Sequence, residues 1–178
     1  MFRHIQINQS NAYNDERLRK LYESSFPPEE QIPYDRLIEM LSLFDIDFST
    51  FYAGEKLVGM WVVNRTPKYN WGMYAAVPGE LRGKGIGQKL LTLQLEKYLK
   101  DKKPFIGDVE SPLEANAPNL EIRKRRYNYY IRNGFKDTGV SYIFRGTSWI
   151  VVSTSDEPFT LKDYDEMTGP IMEKVNRK

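Results

Sequence analysis

The sequence contains no cysteine and a single histidine, His4. Without cysteine a chain can form no disulfide, no thiolate metal site and no cysteine nucleophile. One histidine supplies at most one metal ligand, whereas a structural zinc site usually takes four. We therefore expect no metal centre and no cysteine-dependent catalysis.

The sequence also lacks long apolar runs and a marked excess of one charge. No stretch approaches the ~18 apolar residues of a membrane-spanning helix, and the first residues do not resemble a secretory signal. Lys and Arg number 26 against 24 Asp and Glu, a net charge of +2, which favours neither nucleic acid nor membrane as a partner. We expect a cytoplasmic protein with one domain over residues 1–178, because a chain of this length can bury one core.

Strand-like and helix-like segments alternate along the chain. Alternating apolar residues predict strands, and apolar residues at gaps of three and four predict helices. The prolines of 27–33 predict a loop, and Asn11–Asn14 is predicted to turn. The predicted elements are a strand over 2–7, helices starting near 14 and 33, strands over 47–53, 57–64 and 70–77, a helix from 86, a strand over 105–110, a helix over 120–133, and strands over 140–144 and 149–152.

The C-terminal segment carries its own helix signal. Thr160 and Asp163 have the spacing of a capping box, which is typical of a helix start. We predict a short helix that is interrupted at Gly169-Pro170, because proline removes a backbone donor.

A glycine-rich turn joins a predicted strand to the long helix that follows it. Gly83, Gly85 and Gly87 stand at this turn, flanked by Arg82 and Lys84. Glycines let several backbone N–H groups point at one anion, and the start of a helix carries partial positive charge. The turn therefore predicts a pyrophosphate site, with a simple turn that caps a core helix as the alternative.

The spacing excludes two common phosphate loops. A Walker A loop has four residues between its first glycine and Gly-Lys, but only three separate Gly79 from Gly83-Lys84, and no Ser or Thr follows. A dinucleotide-binding turn reads G-x-G-x-x-G, whereas this one reads G-x-G-x-G. We therefore exclude a P-loop nucleotidase and a Rossmann dehydrogenase.

Two motifs resemble the GNAT N-acetyltransferase superfamily. Arg82-x-x-Gly85-x-Gly87, which follows Val77 by five residues, is similar to the acetyl-CoA signature of that family. The stretch 129–135 (YYIRNGF) is similar to a second family motif in the expected helix. The predicted order of elements also resembles the GNAT fold from residue 2 to residue 152.

The resemblance implies a mixed α/β fold. Its central sheet would have about seven strands, mostly antiparallel, with a parallel pair at the cofactor cleft and helices on both faces. A strand, a helix and a strand around the glycine turn imply the same parallel pair. Residues 153–178 are not explained by the resemblance and are interpreted as a C-terminal extension.

The resemblance also implies acetyl-CoA as cosubstrate and a set of residues that bind it. Two positions depart from the family pattern: Pro78, which has no N–H, directly follows Val77, and Arg123 stands where many relatives carry an asparagine. The implied cofactor-binding residues are Ala76, Val77, Arg82, Gly83, Lys84, Gly85, Ile86, Gly87 and Gln88.

Two carboxylates are candidates for a general base, which an amine acceptor needs because an alkylamine is less than ~0.1% neutral at pH 7. Asp108 and Glu110 stand two residues apart, on one face of a predicted strand. We predict Glu110 to be the base, with Asp108 as the second candidate. The alternative is that one of them is solvated or paired with Arg123 or Arg126.

Tyr130 is the candidate general acid. The resemblance implies that it protonates the departing thiolate, since it lies four residues before Gly134 as in the family. Tyr127 and Tyr129 are expected to pack the core instead.

The predicted function is therefore transfer of an acetyl group from acetyl-CoA to a primary amine of a small molecule or a peptide. One alternative is a catalytically silent acyl-CoA-binding sensor, and another is a phosphate-ligand protein without specificity for CoA. The family implies that the acceptor contacts loops 27–33 and 111–119 and the hairpin near Gly146. The C-terminal segment could serve a homodimer.

Overall fold

The computed structural model describes the backbone of residues 2–7 and 9–176, and the side chains of 12–98 and 100–175. The chain divides into two compact units, Met1–Lys103 and Pro104–Lys178. The expectation of a single domain stays a prediction. No helix in the described part of the chain is long and apolar enough to cross a membrane.

The first unit is built on an antiparallel meander. Its strands pair in chain order, β1 with β2, β2 with β3 and β3 with β4. Nearly all residues of the two middle strands are buried, as expected for segments rich in Phe, Trp, Val and Ile. The four strands are β1 (Phe2–Ile7), β2 (Ile46–Ala53), β3 (Lys56–Arg65) and β4 (Asn70–Ala76).

Four α-helices belong to the same unit. Three come before β2, and the fourth follows the glycine turn. Between the second and third, the proline-rich loop contains one turn of 3-10 helix, Pro28–Glu30. The helices are α1 (Gln9–Asn14), α2 (Glu16–Ser25), α3 (Tyr34–Met40) and α4 (Ile86–Tyr98).

The predicted turn at Asn11–Asn14 is wrong, because these residues lie in α1. Ala12 is fully buried, and its carbonyl oxygen accepts a hydrogen bond of 3.1 Å from the Tyr34 hydroxyl on α3. Asp15 then caps α2, accepting bonds of 3.1 and 3.2 Å from the N–H groups of Arg17 and Leu18. Packing against α3 thus stabilises a helix that the asparagines alone disfavour.

Helix α4 is fixed to the sheet at two places. Gly59 on β3 has no side chain, and a Cβ there would overlap Leu90 of the helix. At the far end of α4, the buried Asp47 of β2 accepts hydrogen bonds from Lys97 and from the Tyr98 hydroxyl, the latter at 2.5 Å. These contacts set the position of the glycine turn at the helix start.

The second unit contains three antiparallel strands and two helices. Strand β7 lies in the middle and pairs with both β5 and β6. Its elements are β5 (Phe105–Glu110), α5 (Leu120–Arg132), β6 (Lys136–Phe144), β7 (Thr147–Ser153) and α6 (Leu161–Asn176). With the four strands of the first unit this gives seven among the described residues, so the predicted strand number and mixed α/β class are confirmed. The predicted parallel pair would join β4 to β5.

Strand β6 begins four residues earlier than predicted, at Lys136, because a bulge interrupts its alternation. Asp137 pairs with Val152 and Ser141 with Ile150, so three residues of β6 lie opposite one residue of β7. Inside the bulge the Thr138 hydroxyl donates to the Val151 carbonyl oxygen at 2.9 Å. Because of the bulge, the first residues of β6 do not show the strict alternation of apolar residues by which strands are predicted.

The prediction that the last helix is short and interrupted is wrong, since α6 continues through Pro170 to Asn176. The capping box is confirmed: the Asp163 N–H donates to the Thr160 hydroxyl at 3.2 Å, and the Thr160 N–H donates to Asp163 Oδ2 at 3.0 Å. Met167 and Ile171, on either side of the proline, are buried. Their packing offsets the backbone hydrogen bond that proline removes.

Candidate functional site

The glycine turn adopts a backbone that only glycine accepts easily. After a single 3-10 turn over Gly79–Leu81, Gly83 and Gly85 have φ of +75° and +74°. An L side chain in this left-handed region is strained by ~1–2 kcal/mol. The carbonyl oxygen of Gly85 accepts the first helical bond, from the Lys89 N–H at 3.2 Å, so Gly85 is the N-cap of α4.

The turn presents backbone donors to open space. Among residues 2–7 and 9–176, the N–H groups of Gly83, Lys84 and Gly85 have no hydrogen-bond partner. A Cβ placed on Gly83 or Gly85 would have no atom within 4 Å. Free N–H groups at the start of a 13-residue helix are able to bind an anion, because the helix dipole adds to the partial charges of the donors.

The predicted cofactor residues of this unit gather around the turn. The Arg82 Nε donates to the Val77 carbonyl oxygen at 3.1 Å, which ties the turn to the end of β4. A Cβ on Gly87 would lie 4.0 Å from the Val77 side chain. Ala76 is buried at the last position of β4. The others lie at the turn or in the first turn of α4: exposed Lys84 and Gln88, and half-buried Ile86.

In the second unit Glu110 is the centre of a buried ion-pair network. It is 5% exposed, and the Arg123 beside it is 6% exposed. Its Oε1 lies 3.0 Å from Arg123 Nε and accepts a 2.9 Å bond from the Asn119 amide. Its Oε2 lies 2.6 Å from Arg126 Nη1. Both carboxylate oxygens are therefore held by donors, the pairing with Arg123 and Arg126 that the sequence analysis gave as an alternative.

Arg123 is internal to this network. Its Nη1 lies 2.5 Å from Glu114 Oε2, and its Nε also donates to the Asn119 Oδ1 at 2.7 Å. A strand, a loop and a helix are joined in this way by one guanidinium. At this position, where the resemblance implied an asparagine, the arginine is a structural group, and its planar fork suits several oxygens at once.

Asp108 has a different environment, although it shares a face of β5 with Glu110. The Tyr164 hydroxyl of α6 donates to its Oδ2 at 3.1 Å. The Tyr164 ring stacks on Tyr142 with centroids 4.7 Å apart. Burial, and then the charge of Asp108, raise the pKa of Tyr164, so this phenol stays protonated and able to donate.

Tyr130 lies on α5 within an aromatic cluster. Its ring meets those of Tyr129 and Phe135 edge to face, with centroids 5.3 and 5.2 Å apart. Burial raises the pKa of Tyr130; the charge of Arg126 opposes this rise and that of Asp108 adds to it. Tyr130 is therefore a protonated donor in the electrostatic field of Asp108.

The other two tyrosines of α5 have separate contacts. The Tyr127 hydroxyl donates to Asp137 Oδ2 at 3.3 Å. Arg132 lies over the ring of Tyr129, 5.4 Å from its centroid, and burial raises the pKa of Tyr129.

A groove of about 510 Å³ opens on the second unit. Ser148 and Ile150, which line it, alternate along β7 with Trp149, the residue opposite Glu110. The groove therefore lies on the sheet face opposite to Asp108 and Glu110. Its lining comes from the loop after β5 and from the β6–β7 hairpin: Ser111, Leu113, Glu114, Asp137, Gly139, Val140, Ser141, Ile143, Gly146, Ser148 and Ile150.

Two of the groups that hold the carboxylates are not among the residues predicted from the sequence. The sequence places Asn119 at the end of a loop and Tyr164 in the C-terminal extension. A polar residue directly before a predicted helix was a signal for Asn119, but it is a partner of Glu110 rather than a side-chain cap. No sequence signal joins Tyr164 to Asp108, 56 residues away.

Known proteins resemble this chain through structure only. No protein-family model and no curated protein matches it. A Bacteroides thetaiotaomicron protein assigned to the GNAT acetyltransferases is 23% identical, with 97% of this chain and 95% of that one covered and a TM-score of 0.67. The ribosomal-protein-S18-alanine N-acetyltransferase of Escherichia coli is 10% identical, with 90% and 100% covered and a TM-score of 0.64.

A third solved structure contains a ligand. It is a GNAT family acetyltransferase from Elizabethkingia anophelis with acetyl-CoA bound, 13% identical, with 86% of this chain and 97% of that one covered and a TM-score of 0.62. The chain has the fold of the GNAT acetyltransferases, and the predicted resemblance is confirmed at that level.

Proposed function

We propose that this chain is an N-acetyltransferase that moves the acetyl group of acetyl-CoA to a primary amine of a small molecule or a peptide. The observation that carries the proposal is the glycine turn, where three unpartnered N–H groups precede α4 within a GNAT acetyl-CoA signature. The GNAT fold, and the acetyl-CoA bound to one protein that shares it, support the proposal.

The pyrophosphate of acetyl-CoA would bind at the glycine turn. The N–H groups of Gly83, Lys84 and Gly85 donate to its oxygens, and the start of α4 adds its positive partial charge. Gly87 and Gln88 belong to the same first helical turn. The end of β4, at Ala76 and Val77, would receive the pantetheine arm as an added strand would bind.

We assign the general base to Asp108 and a positioning role to Glu110. A base needs an oxygen that can accept a proton, and both oxygens of Glu110 are held by Arg123, Asn119 and Arg126. Protonating Glu110 would remove one of the two carboxylates that pair with the buried Arg123 and would also break the ion pair with Arg126, which is costly. Asp108 accepts its hydrogen bond from Tyr164, a neutral phenol, and this phenol can keep its own proton while the Asp108 carboxylate takes one up.

The reaction needs two proton transfers. The amine nitrogen bonds to the acetyl carbonyl carbon, and the carbon–sulfur bond breaks to give an amide and a thiolate. The proton lost by the amine goes to Asp108, and Tyr130 gives its proton to the thiolate, after which solvent restores both groups. A positioned base typically accelerates such a step by ~10²–10⁴.

Release of free CoA thiol tests the proposal. Because the chain has no cysteine, a thiol-reactive dye reports only the product. With acetyl-CoA and a panel of alkylamines, diamines and short peptides, we expect at least one amine to accelerate release and a matching acetylated product by mass spectrometry.

Three outcomes separate the candidate functions. Acceleration by an amine supports the enzyme. If acetyl-CoA raises the melting temperature but no amine accelerates the release of CoA thiol, the result supports the acyl-CoA sensor instead. Equal stabilisation by ADP and by acetyl-CoA would indicate a phosphate-ligand protein without specificity for CoA.

A further inference from the structure

Helix α6 brings one polar side chain to the Asp108 carboxylate. Residues 153–178 have no counterpart in the two motifs that carry the GNAT resemblance. In the structure the helix packs through Met167 and Ile171, which are 3% and 0% exposed. Tyr164 lies one turn after the Thr160 cap and donates its backbone N–H to the Thr160 carbonyl oxygen at 3.0 Å.

The Tyr164 ring is held by an aromatic stack. It lies on Tyr142 with centroids 4.7 Å apart and planes 30° apart, and Tyr142 lies over Trp149 at 6.4 Å and 10°. Both supporting rings are on paired residues of β6 and β7. The phenol therefore cannot swing away from Asp108 without leaving a stack that rests on the sheet.

Two helices and one neighbouring strand of the second unit bring known groups close to Asp108. Helix α6 contributes the Tyr164 hydroxyl, 3.1 Å from Oδ2, and α5 contributes Tyr130, which responds to the charge of Asp108 and to that of Arg126. On β7 the residue opposite Asp108 is the apolar Val151. A neutral donor fixes one carboxylate oxygen in place and, unlike the two arginines at Glu110, does not neutralise the charge.

We propose that Tyr164 is a positioning residue for acetyl transfer: its hydroxyl holds the Asp108 carboxylate in the orientation in which it takes the proton of the amine. Tyr142 supports this role by holding the Tyr164 ring. The inference rests on the proposed function, because it gives Asp108 the part of general base. It also makes α6 part of the catalytic machinery.

Tyr164→Phe tests the inference because it keeps the ring and the stack and removes only the hydroxyl. We expect kcat to fall roughly tenfold, a part of the ~10²–10⁴ that a positioned base contributes, with the Kd of acetyl-CoA unchanged. The lost hydrogen bond favoured the charged carboxylate, so the pKa of Asp108 should rise. The acid limb of the kcat/KM profile should move up in pH with it.

Tyr127→Phe is the matched control, since it removes another tyrosine–aspartate hydrogen bond of the same unit, to Asp137. It should change neither the rate nor the pH profile. Carbon-13 NMR of the Asp108 carboxyl provides a readout that needs no turnover, and only Tyr164→Phe should shift its titration. If Tyr164→Phe is poorly folded, Tyr142→Leu keeps the Tyr164 hydroxyl but removes the stack and the side-chain hydrogen bond between Tyr142 and Tyr164; it should produce a smaller shift in the same direction.

The outcomes are distinct. If the wild-type protein acetylates an amine and Tyr164→Phe has the same rate and the same pH profile, the inference is overturned and the proposed function stands. An unchanged Asp108 titration in Tyr164→Phe would also overturn it. A wild-type protein that binds acetyl-CoA and acetylates no amine would instead overturn the proposed function.

Discussion

Gly85→Ala should weaken CoA binding, and Gly54→Ala is its matched control. Gly85 has φ of +74°, and Gly54, in the turn between β2 and β3, has φ of +61°. A Cβ at either position would have no atom within 4 Å. Both substitutions therefore bring the same left-handed strain, ~1–2 kcal/mol, and differ only in their distance from the free N–H groups of the glycine turn.

The expected effect on affinity follows from the donors. An alanine methyl group at Gly85 would enter open space on the residue that carries one of the three free N–H groups, and we expect it to keep an anion from at least one of them. A hydrogen bond to a charged group contributes ~1.5–3 kcal/mol. Losing one such bond should raise the Kd for CoA by about 10- to 160-fold.

Isothermal titration of CoA measures the affinity, and urea unfolding measures the strain. We expect both variants to lose similar free energy of unfolding, and only Gly85→Ala to lose affinity. Equal Kd values for CoA in the two variants would refute the assignment of the anion site, because the strain alone would then explain every effect of the substitution.

The other predictions concern stability. Glu110→Gln removes one of the two carboxylates that pair with the buried Arg123, while Glu114 remains, so the free energy of unfolding in urea should fall by ~1.5–3 kcal/mol; a change below ~1 kcal/mol would contradict the network. Burial opposes the charge of Asp47, but the hydrogen bonds it accepts lower its pKa below the ordinary 3.8. Its stabilising contribution is thus full above that ordinary value and lost as the pH falls through the lower folded pKa. Asp47→Asn should flatten the acid limb of stability against pH, and an unchanged limb would contradict this. Gly59→Ala should lower the melting temperature, because its methyl group overlaps Leu90; a melting temperature at or above that of the wild type would show that α4 can shift.

Local chemistry was enough to predict most elements of the fold. The strands of the first unit are rich in aromatic and β-branched residues, and the capping box of Thr160 and Asp163 marks its helix correctly. The errors arose where distant contacts decide the structure. Ala12 is helical because Tyr34 packs on it, and α6 continues through Pro170 because its flanking residues are buried.

The parts of the candidate site that consist of residues adjacent in sequence were predictable. The glycine turn is such a segment, since the φ values of Gly83 and Gly85 follow from glycine itself. The partners of Asp108 and Glu110 were not predictable in this way. The spacing of the two carboxylates along β5 shows that they share a face, but it does not show which side chains contact them. Arg123 comes from a helix 13 residues after Glu110, and Tyr164 from a helix 56 residues after Asp108. Only the folded chain shows that Arg123 and Arg126 pair with Glu110.

The anchoring of α4 has a mechanical consequence. A 13-residue helix is about 20 Å long at ~1.5 Å per residue. Hydrogen bonds from Lys97 and Tyr98 to Asp47 hold its last turn on β2. A helix held at its last turn resists movement along its axis, so α4 cannot slide to accommodate a ligand at its first turn. Any adjustment to an arriving anion must come from rotation about the backbone bonds of residues 79–85, whose glycines permit it.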